Sequence, residues 1–349
     1  MVDDSALIRQ MLTRALSMDP RIVVVGAAKT GVEAVELAAE LQPDVVTLDI
    51  EMPEMSGLEA LPQIRRYSTA RVIMLSSLDD PETTYRALEL GAIDFIPKPT
   101  AGMATSITEL TDVLLKKIRI ANRVNPSYTP LEPLREPDFT EGWENLPRAA
   151  VSDRKGVCVA MAASTGGPPA LERVFERLSL ALPAAYLVVQ HLPAGFSASL
   201  VKRLNAVSDI EVMVAEDGMH IQPGHAYVAP HGAHMIVRTP GGTPRIGFSD
   251  SAPVHGVRPA ADPLFTSVAD VYGERGIGVV LTGMGADGAR GALAIKLAGG
   301  DVVVQDEATS VVWGMPGSAV KLEATRRVVP LGLVPTEIRR AVRARLEAV

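Results

Sequence analysis

Ser164 stands where the sequence changes character. Ahead of it runs Val157-Cys-Val-Ala-Met-Ala-Ala, and behind it come Thr165, two glycines and two prolines. The apolar run reads as a buried strand, and from Ala170 to Leu178 the apolar residues recur at helical spacing. A serine between a strand's end and a helix's start exposes its hydroxyl. Free backbone N–H groups and the helix dipole lie beside it, ready for the oxyanion its attack creates. The pattern Ala162-x-Ser164-x-Gly166 differs from the G-x-S-x-G nucleophile elbow only in its first glycine. A phosphate-cradling turn or a helix-capping serine would satisfy the same short pattern.

A serine nucleophile needs a base, and the base needs an orienting group. His191 follows Tyr186-Leu-Val-Val-Gln, just past another strand, and Asp287 lies in Val279-Val-Leu-Thr-Gly-Met-Gly-Ala-Asp-Gly, a strand leading into a glycine-rich turn. All three side chains can converge above the carboxyl edge of one parallel sheet. Their chain order differs from that of the α/β-hydrolases, but geometry defines a triad. The plain alternatives are a hydrogen-bonded structural histidine and a turn without function. His231-x-x-His234 has a spacing that could hold zinc, but no cysteine or helix accompanies it.

A second constellation lies near the start. Asp3, Asp4 and Asp49 all fall at expected strand ends, where carboxylates repel one another unless a divalent ion such as Mg²⁺ joins them. Ser76 and Lys98 would add a hydroxyl and a cation for phosphate oxygens. Taken singly, Asp4 reads as a helix cap, Asp49 as a turn residue and Lys98 as a surface charge.

The elements that must position these groups alternate strictly over the first hundred residues. Ser5 caps a helix carrying Ile8, Met11, Leu12, Ala15 and Leu16 on one face. Strands are expected at Ile22–Val25, Val45–Leu48, Val72–Leu75 and near Phe95. Helices are expected near Val32–Leu41, Leu58–Arg66, Glu82–Leu90 and Ile107–Ile120. Such alternation implies a parallel sheet covered on both faces. A proline-rich polar linker, 122–153, follows. Apolar runs at 157–161, 186–189, 278–281 and 302–304 then rebuild an α/β pattern through 154–349. Glycine-broken β-prone runs between Ile210 and Phe248 suggest hairpins appended to it.

Composition narrows the class. The chain has 349 residues, room for two domains, and 47% apolar but only 4% aromatic residues, so its cores rest on aliphatic side chains. One cysteine, Cys158, excludes an internal disulfide framework and reads as a small buried apolar residue. A net charge of −7 without a basic cluster argues against nonspecific nucleic-acid binding. With no long apolar span and no signal pattern, a cytoplasmic location is expected.

Over roughly its first 120 residues (1–121) the chain resembles the response-regulator receiver domain. The resemblance rests on Asp3-Asp4, Leu48-Asp49 with Met52-Pro53, Ser76 and Lys98-Pro99. It implies a flavodoxin-like fold in which Asp49 takes a phosphoryl group from a histidine kinase. Mg²⁺ would be held by Asp4, Asp49 and the carbonyl of Glu51, with Asp3 acting through water. The family carries a full apolar strand before the acidic pair, where this chain has Met1-Val2. A truncated start is therefore the expectation, with a gap and unpaired edges in the sheet.

From about residue 154 onward the chain resembles the catalytic domain of the chemotaxis protein-glutamate methylesterases. The matching stretches are Ala163-Ser-Thr-Gly-Gly, Gln190-His-Leu-Pro, Thr282-Gly-Met-Gly-x-Asp-Gly, Gln305-Asp-Glu-Ala-Thr-Ser and Trp313-Gly-Met-Pro. The resemblance implies a doubly wound, mostly parallel α/β esterase domain with Ser164 as nucleophile, His191 as base and Asp287 as orienting acid. Ala162, where the family usually has glycine, would bring a methyl group close to the turn. Backbone N–H groups at Thr165 and near Met284 are candidates for the oxyanion hole. The implied reactions are hydrolysis of glutamyl methyl esters and deamidation of certain glutamines, without a cofactor in the esterase. The implied partners are the cytoplasmic stalks of membrane chemoreceptors and a histidine kinase. A docking adaptor without turnover, or a hydrolase of another ester, are the competing readings.

Overall fold

The computed structural model describes residues 1–76, 80–98, 106–121, 124, 156–178, 180 and 182–347. They fall into two compact units, Met1–Pro126 and Ser127–Val349. Apart from Val124, the expected linker 122–153 lies outside the described residues.

The front unit runs α1 (Ala6–Leu16), α2 (Gly31–Leu41), β1 (Val45–Asp49), α3 (Gly57–Tyr67), β2 (Arg71–Ser76), α4 (Pro81–Glu89), β3 (Asp94–Pro97) and α5 (Ser106–Ala121). Its helices begin where their caps say. Ser5, Thr30, Ser56 and Asp80 each accept a hydrogen bond from an N–H of the first turn, and Ser56 forms a reciprocal capping box with Glu59. β1, β2 and β3 pair in parallel in that order, which brings Asp49, Ser76 and Lys98 to one edge of the sheet. The strand expected at Ile22–Val25 does not form. The segment is extended but unpaired, and Val23 and Val25 are 80% and 54% exposed. A strand exists through its ladder, and among the described residues the backbone bonded alongside this segment's end is that of residues 1–3.

The rear unit runs β4 (Val157–Ala163), α6 (Gly167–Phe175), β5 (Ala184–Gln190), α7 (Phe196–Val207), β6 (Glu211–Val214), β7 (His225–Val228), β8 (His234–Arg238) and β9 (Arg245–Ser249). It continues with α8 (Ala261–Tyr272), β10 (Gly276–Val280), α9 (Ala289–Leu297), β11 (Asp301–Gln305), α10 (Gly314–Lys321), β12 (Arg327–Val329) and α11 (Val334–Glu347). Among the described residues seven strands form one parallel sheet in the order β12-β11-β10-β4-β5-β7-β6. The chain builds outward from β4 to β5 and beyond, then returns to β10 and builds the other way. Neighbouring β4 and β10 therefore flank a topological switch point, where doubly wound sheets open a crevice at their carboxyl ends.

The appended hairpin expected between Ile210 and Phe248 is present as β8 and β9, which pair antiparallel, while β6 and β7 in the same region join the parallel sheet. Their runs are short and glycine-flanked in either case, so composition does not distinguish an edge strand from a hairpin arm. β4 is buried on both faces, as a central parallel strand must be. Cys158, Ala160 and Ala162 pack with Leu264, Phe265 and Val280 in the core between the sheet and α8. The Ala162 methyl is thus core packing, with no exposure at the turn.

Candidate active site

Strand register assembles the rear site. β4 and β5 pair with Ala163 opposite Gln190, so the next residues, Ser164 and His191, leave the sheet side by side. The His191 N–H donates to the Ala163 carbonyl at 3.1 Å, and the Ser164 N–H donates to the Thr282 carbonyl at 3.0 Å. Asp287 arrives from the turn after β10. Its Oδ2 lies 2.7 Å from His191 Nε2.

Asp287 is 1% exposed, yet its environment favours the carboxylate. Burial pushes its pKa up; the hydrogen bond and charge of His191 and the N–H groups of Ala261 and Asp262 more than offset this, leaving it below the usual carboxylate value. Those two N–H groups belong to the first turn of α8, which aims its positive dipole end at the carboxylate. Gly288 N–H donates a further bond at 3.0 Å. An ionised carboxylate only accepts, so His191 Nε2 carries its hydrogen toward Asp287 and Nδ1 is the basic nitrogen. Among the described residues neither Nδ1 nor Ser164 Oγ has a hydrogen-bond partner. Substrate-free enzymes commonly leave this bond open until substrate docks.

The pKa shift makes a stability prediction. A carboxyl depressed on folding stabilises the folded state above its unfolded value and loses that contribution as pH falls through the folded one. Asp287→Asn should therefore destabilise the rear unit at neutral pH by on the order of 1–3 kcal/mol. Denaturant titrations should show the difference from the parent closing as the pH drops below the ordinary aspartate value of 3.8.

Backbone donors surround Ser164. Gly167 N–H is taken by the Ser164 carbonyl at 2.7 Å, and Pro168 and Pro169 have no N–H to offer. The N–H groups of Gly166 and Met284 have no acceptor among the described residues. Thr165, expected in this role, is buried, and its carbonyl accepts from Thr282 Oγ1 at 3.0 Å. Gly166 was not singled out from the sequence for a donated N–H; the signal there is the glycine itself after Ser164-Thr165, which permits the left-handed φ of 73° at this turn.

Two stretches that carried no chemistry in the sequence hold the site together. Gln190, 2% exposed, donates from Nε2 to the Ser164 carbonyl at 3.0 Å and to the His191 carbonyl at 3.1 Å. Gln305 Oε1 accepts from the Thr282 N–H, and the N–H groups of Gly314 and Met315 close on the Gly283 carbonyl. This packs Gly283 against the serine. A Cβ there would lie 2.3 Å from Met315 Sδ and 2.8 Å from Ser164 Cβ. Gly283→Ala must displace one of them, and a misplacement of about 1 Å costs roughly 100-fold in kcat. Steady-state kinetics should show that loss with KM little changed. His231 and His234, the possible zinc pair, instead bond backbone groups: His231 Nδ1 meets the Leu192 carbonyl, and His234 Nδ1 accepts from the Ala260 N–H.

In the front unit Asp3, Asp4 and Asp49 bring carboxylate oxygens within 4.8 Å of one another. Lys98 Nζ lies 2.9 Å from Asp3 Oδ2 and 2.5 Å from Asp49 Oδ2. The Lys98 ammonium thus bridges the two buried carboxylates. Burial pushes the Asp49 carboxyl up to about 6; Lys98 opposes the shift and Asp3 adds to it. Arg9 fixes the acidic turn by donating to the carbonyls of Asp3 and Asp4. Glu51 is exposed and its N–H donates to Asp49. Ser76 is buried at the end of β2, where its hydroxyl shares a hydrogen bond with Thr84 and its carbonyl accepts the Lys98 N–H.

A parallel sheet with clustered carboxylates at one edge, joined to a doubly wound unit whose switch point gathers Ser164, His191 and Asp287, has the architecture of a receiver-linked hydrolase. Comparison bears on each part. The response regulator receiver domain matches residues 1–108, and the CheB methylesterase profile matches residues 159–338. The chain belongs to the CheB methylesterase family. It is 44% identical to the protein-glutamate methylesterase/protein-glutamine glutaminase of Pyrococcus abyssi, over 98% of this chain and 92% of that one. The corresponding protein 1 of Xanthomonas campestris pv. campestris is also 44% identical, over 95% of this chain and 93% of its own. The crystal structure of the Thermotoga maritima CheB methylesterase catalytic domain covers 56% of this chain and 99% of its own, at 36% identity and a TM-score of 0.52. Among the described residues no helix is long and apolar enough to cross a membrane.

Proposed function

We propose that this chain hydrolyses methyl esters of glutamate side chains on chemoreceptors, releasing methanol, and deamidates particular receptor glutamines at the same site. The observation that carries the reading is the register of Ser164 beside His191, with His191 Nε2 bound to a buried, ionised Asp287. His191 Nδ1 takes the Ser164 proton as Oγ attacks the ester carbonyl. The oxyanion forms against the N–H groups of Gly166 and Met284, next to Thr165. Methanol leaves with the proton from His191, and water, activated by the same nitrogen, hydrolyses the acyl-serine. Asp287 stays ionised and steadies the imidazolium. Deamidation is the same acyl transfer with ammonia leaving, and the esterase chemistry uses no cofactor.

In this reading residues 1–121 form the regulatory receiver, 122–153 the linker and 154–349 the catalytic domain. Asp49 accepts a phosphoryl group from a histidine kinase in the cytoplasm. The carboxylate oxygens of Asp3, Asp4 and Asp49, within 4.8 Å of one another, suit a hard divalent ion. Mg²⁺ would be held by Asp4, Asp49 and the Glu51 carbonyl, with Asp3 through water, and would neutralise charge on the phosphoryl oxygens. Lys98, already at the Asp49 carboxylate, supplies a cation to the same oxygens, and Ser76 a hydroxyl.

Mass spectrometry of a receptor cytoplasmic fragment carrying one methyl-esterified glutamate and one substrate glutamine tests the shared site. Both conversions should disappear together in Ser164→Ala. Persistent deamidation in that variant would refute a common nucleophile.

A further inference from the structure

α8 begins without a cap of its own. Its N-cap residue, Ala260, makes no side-chain hydrogen bond, and the N–H groups of Ala261 and Asp262 instead donate to the carboxylate of Asp287, at 2.7 and 3.0 Å. Helix start and carboxylate therefore fix one another, and the aim of Asp287 at His191 depends on where the first turn of α8 is held. Asp262 is pinned by its side chain as well. Oδ1 accepts from the Gly291 N–H of α9 at 2.8 Å, and Oδ2 meets His255 Nε2 at 2.8 Å. His255, Asp262 and Asp287 bring ligand atoms within 4.8 Å of one another, close enough to share a cation. Their lone pairs are already taken. Asp287 accepts from His191, Ala261, Asp262 and Gly288, and a carboxylate has about four positions to offer. The cluster is a hydrogen-bond network.

His255 reaches Asp262 from an uncommon backbone conformation. Val254 and Val257 exchange hydrogen bonds at 3.2 and 3.0 Å, and His255 and Gly256 form the two-residue turn between them, with φ of 54° and 76°. Left-handed geometry at both central residues suits glycine, asparagine and aspartate. The turn by itself gives no reason for a histidine, a side chain seldom held at positive φ unless its surroundings compensate. The contact with Asp262 supplies that reason. The loop that carries the turn is clamped at its base. Buried His234 accepts the Ala260 N–H at Nδ1 and donates from Nε2 to the Ala252 carbonyl, while Arg258 donates to the carbonyls of Asp250 and Ser251. A loop fixed in this way delivers the imidazole to one place. The side chain is 29% exposed, so it closes the solvent end of the network.

We propose that His255 is a positioning residue of the esterase, acting through Asp262 to hold the first turn of α8, and with it Asp287, in line with His191. The inference rests on the Ser164–His191–Asp287 reading above and extends it by one residue pair. Among the described residues His255 has no hydrogen bond to Ser164 or His191, so its influence reaches the chemistry through the two carboxylates. Without the imidazole, the Asp262 side chain keeps one anchor, the Gly291 N–H. The helix start can then drift, and the bond from His191 Nε2 to Asp287 drifts with it.

The test compares the full chain with its His255→Gly and His255→Gln variants. Glycine is at home in the turn, so the first variant removes the imidazole and leaves the backbone unstrained. Glutamine keeps an N–H that can donate to Asp262. His255→Gly should lose about tenfold or more in kcat on a glutamyl methyl ester, with KM within about twofold of the parent. The low-field proton resonance of the His191–Asp287 hydrogen bond should shift or broaden in the same variant, and His255→Gln should recover most of both. An unmoved resonance or an undiminished kcat in His255→Gly overturns the proposal, as does a glutamine variant no better than the glycine one. The resonance is read without turnover, so its failure is separate from that of the serine mechanism, which would show as activity surviving in Ser164→Ala.

Discussion

The double variant Ser164→Ala/His191→Ala should hydrolyse a glutamyl methyl ester hardly more slowly than either single variant. Each single change should cost about 10⁴-fold or more in kcat, because the hydroxyl cannot attack without its base and the base has nothing to deprotonate without the hydroxyl. Independent contributions would multiply; members of one unit do not. Neither change threatens the fold. Ser164 is anchored through its backbone, by its N–H to Thr282 and its carbonyl to Gly167 and Gln190, and alanine keeps all three bonds. Multiplicative losses in the double variant, measured by single-turnover kinetics with circular dichroism as a check on folding, would contradict the triad.

Removing the front unit should raise esterase activity above the basal rate, and phosphorylation at Asp49 should do the same in the full chain. A phosphoryl group adds negative charge beside Asp3 and Asp4, which draws Lys98 from its shared position between Asp3 and Asp49. Such a local change alters activity only if the two states of the receiver differ in what they restrain, and about 1.4 kcal/mol of difference is enough for a tenfold effect. With a small-molecule phosphodonor and Mg²⁺, the parent should accelerate while Asp49→Asn stays at its basal rate. A chain lacking residues 1–126 that works at or below the basal rate would make the receiver an activator or a docking module.

The chemistry was more legible in the sequence than the topology. Ser164 and His191 each follow an apolar run and Asp287 lies in the turn after another, and a parallel sheet puts all such ends on one edge, so residue type and position pointed to one place. The helix cap at Ser5 was legible for a related reason: its bond spans only three residues. The partner of each strand is not a local property. Ile22–Val25 has the composition of a strand but pairs with no strand among the described residues. β6 and β7 have the composition of hairpin arms and join the parallel sheet. The ring nitrogen that meets Asp287 and the clamp by Gln190 depend on side-chain orientation across strands, which no spacing in the chain encodes.

Methanol release from a methylated chemoreceptor fragment tests the central claim most directly. At equal enzyme concentration, the parent chain should release one methanol for each ester converted to glutamate, and Ser164→Ala should release none above the uncatalysed background. Equal release by the two proteins, or ester loss without methanol, would contradict a hydrolysis carried by Ser164.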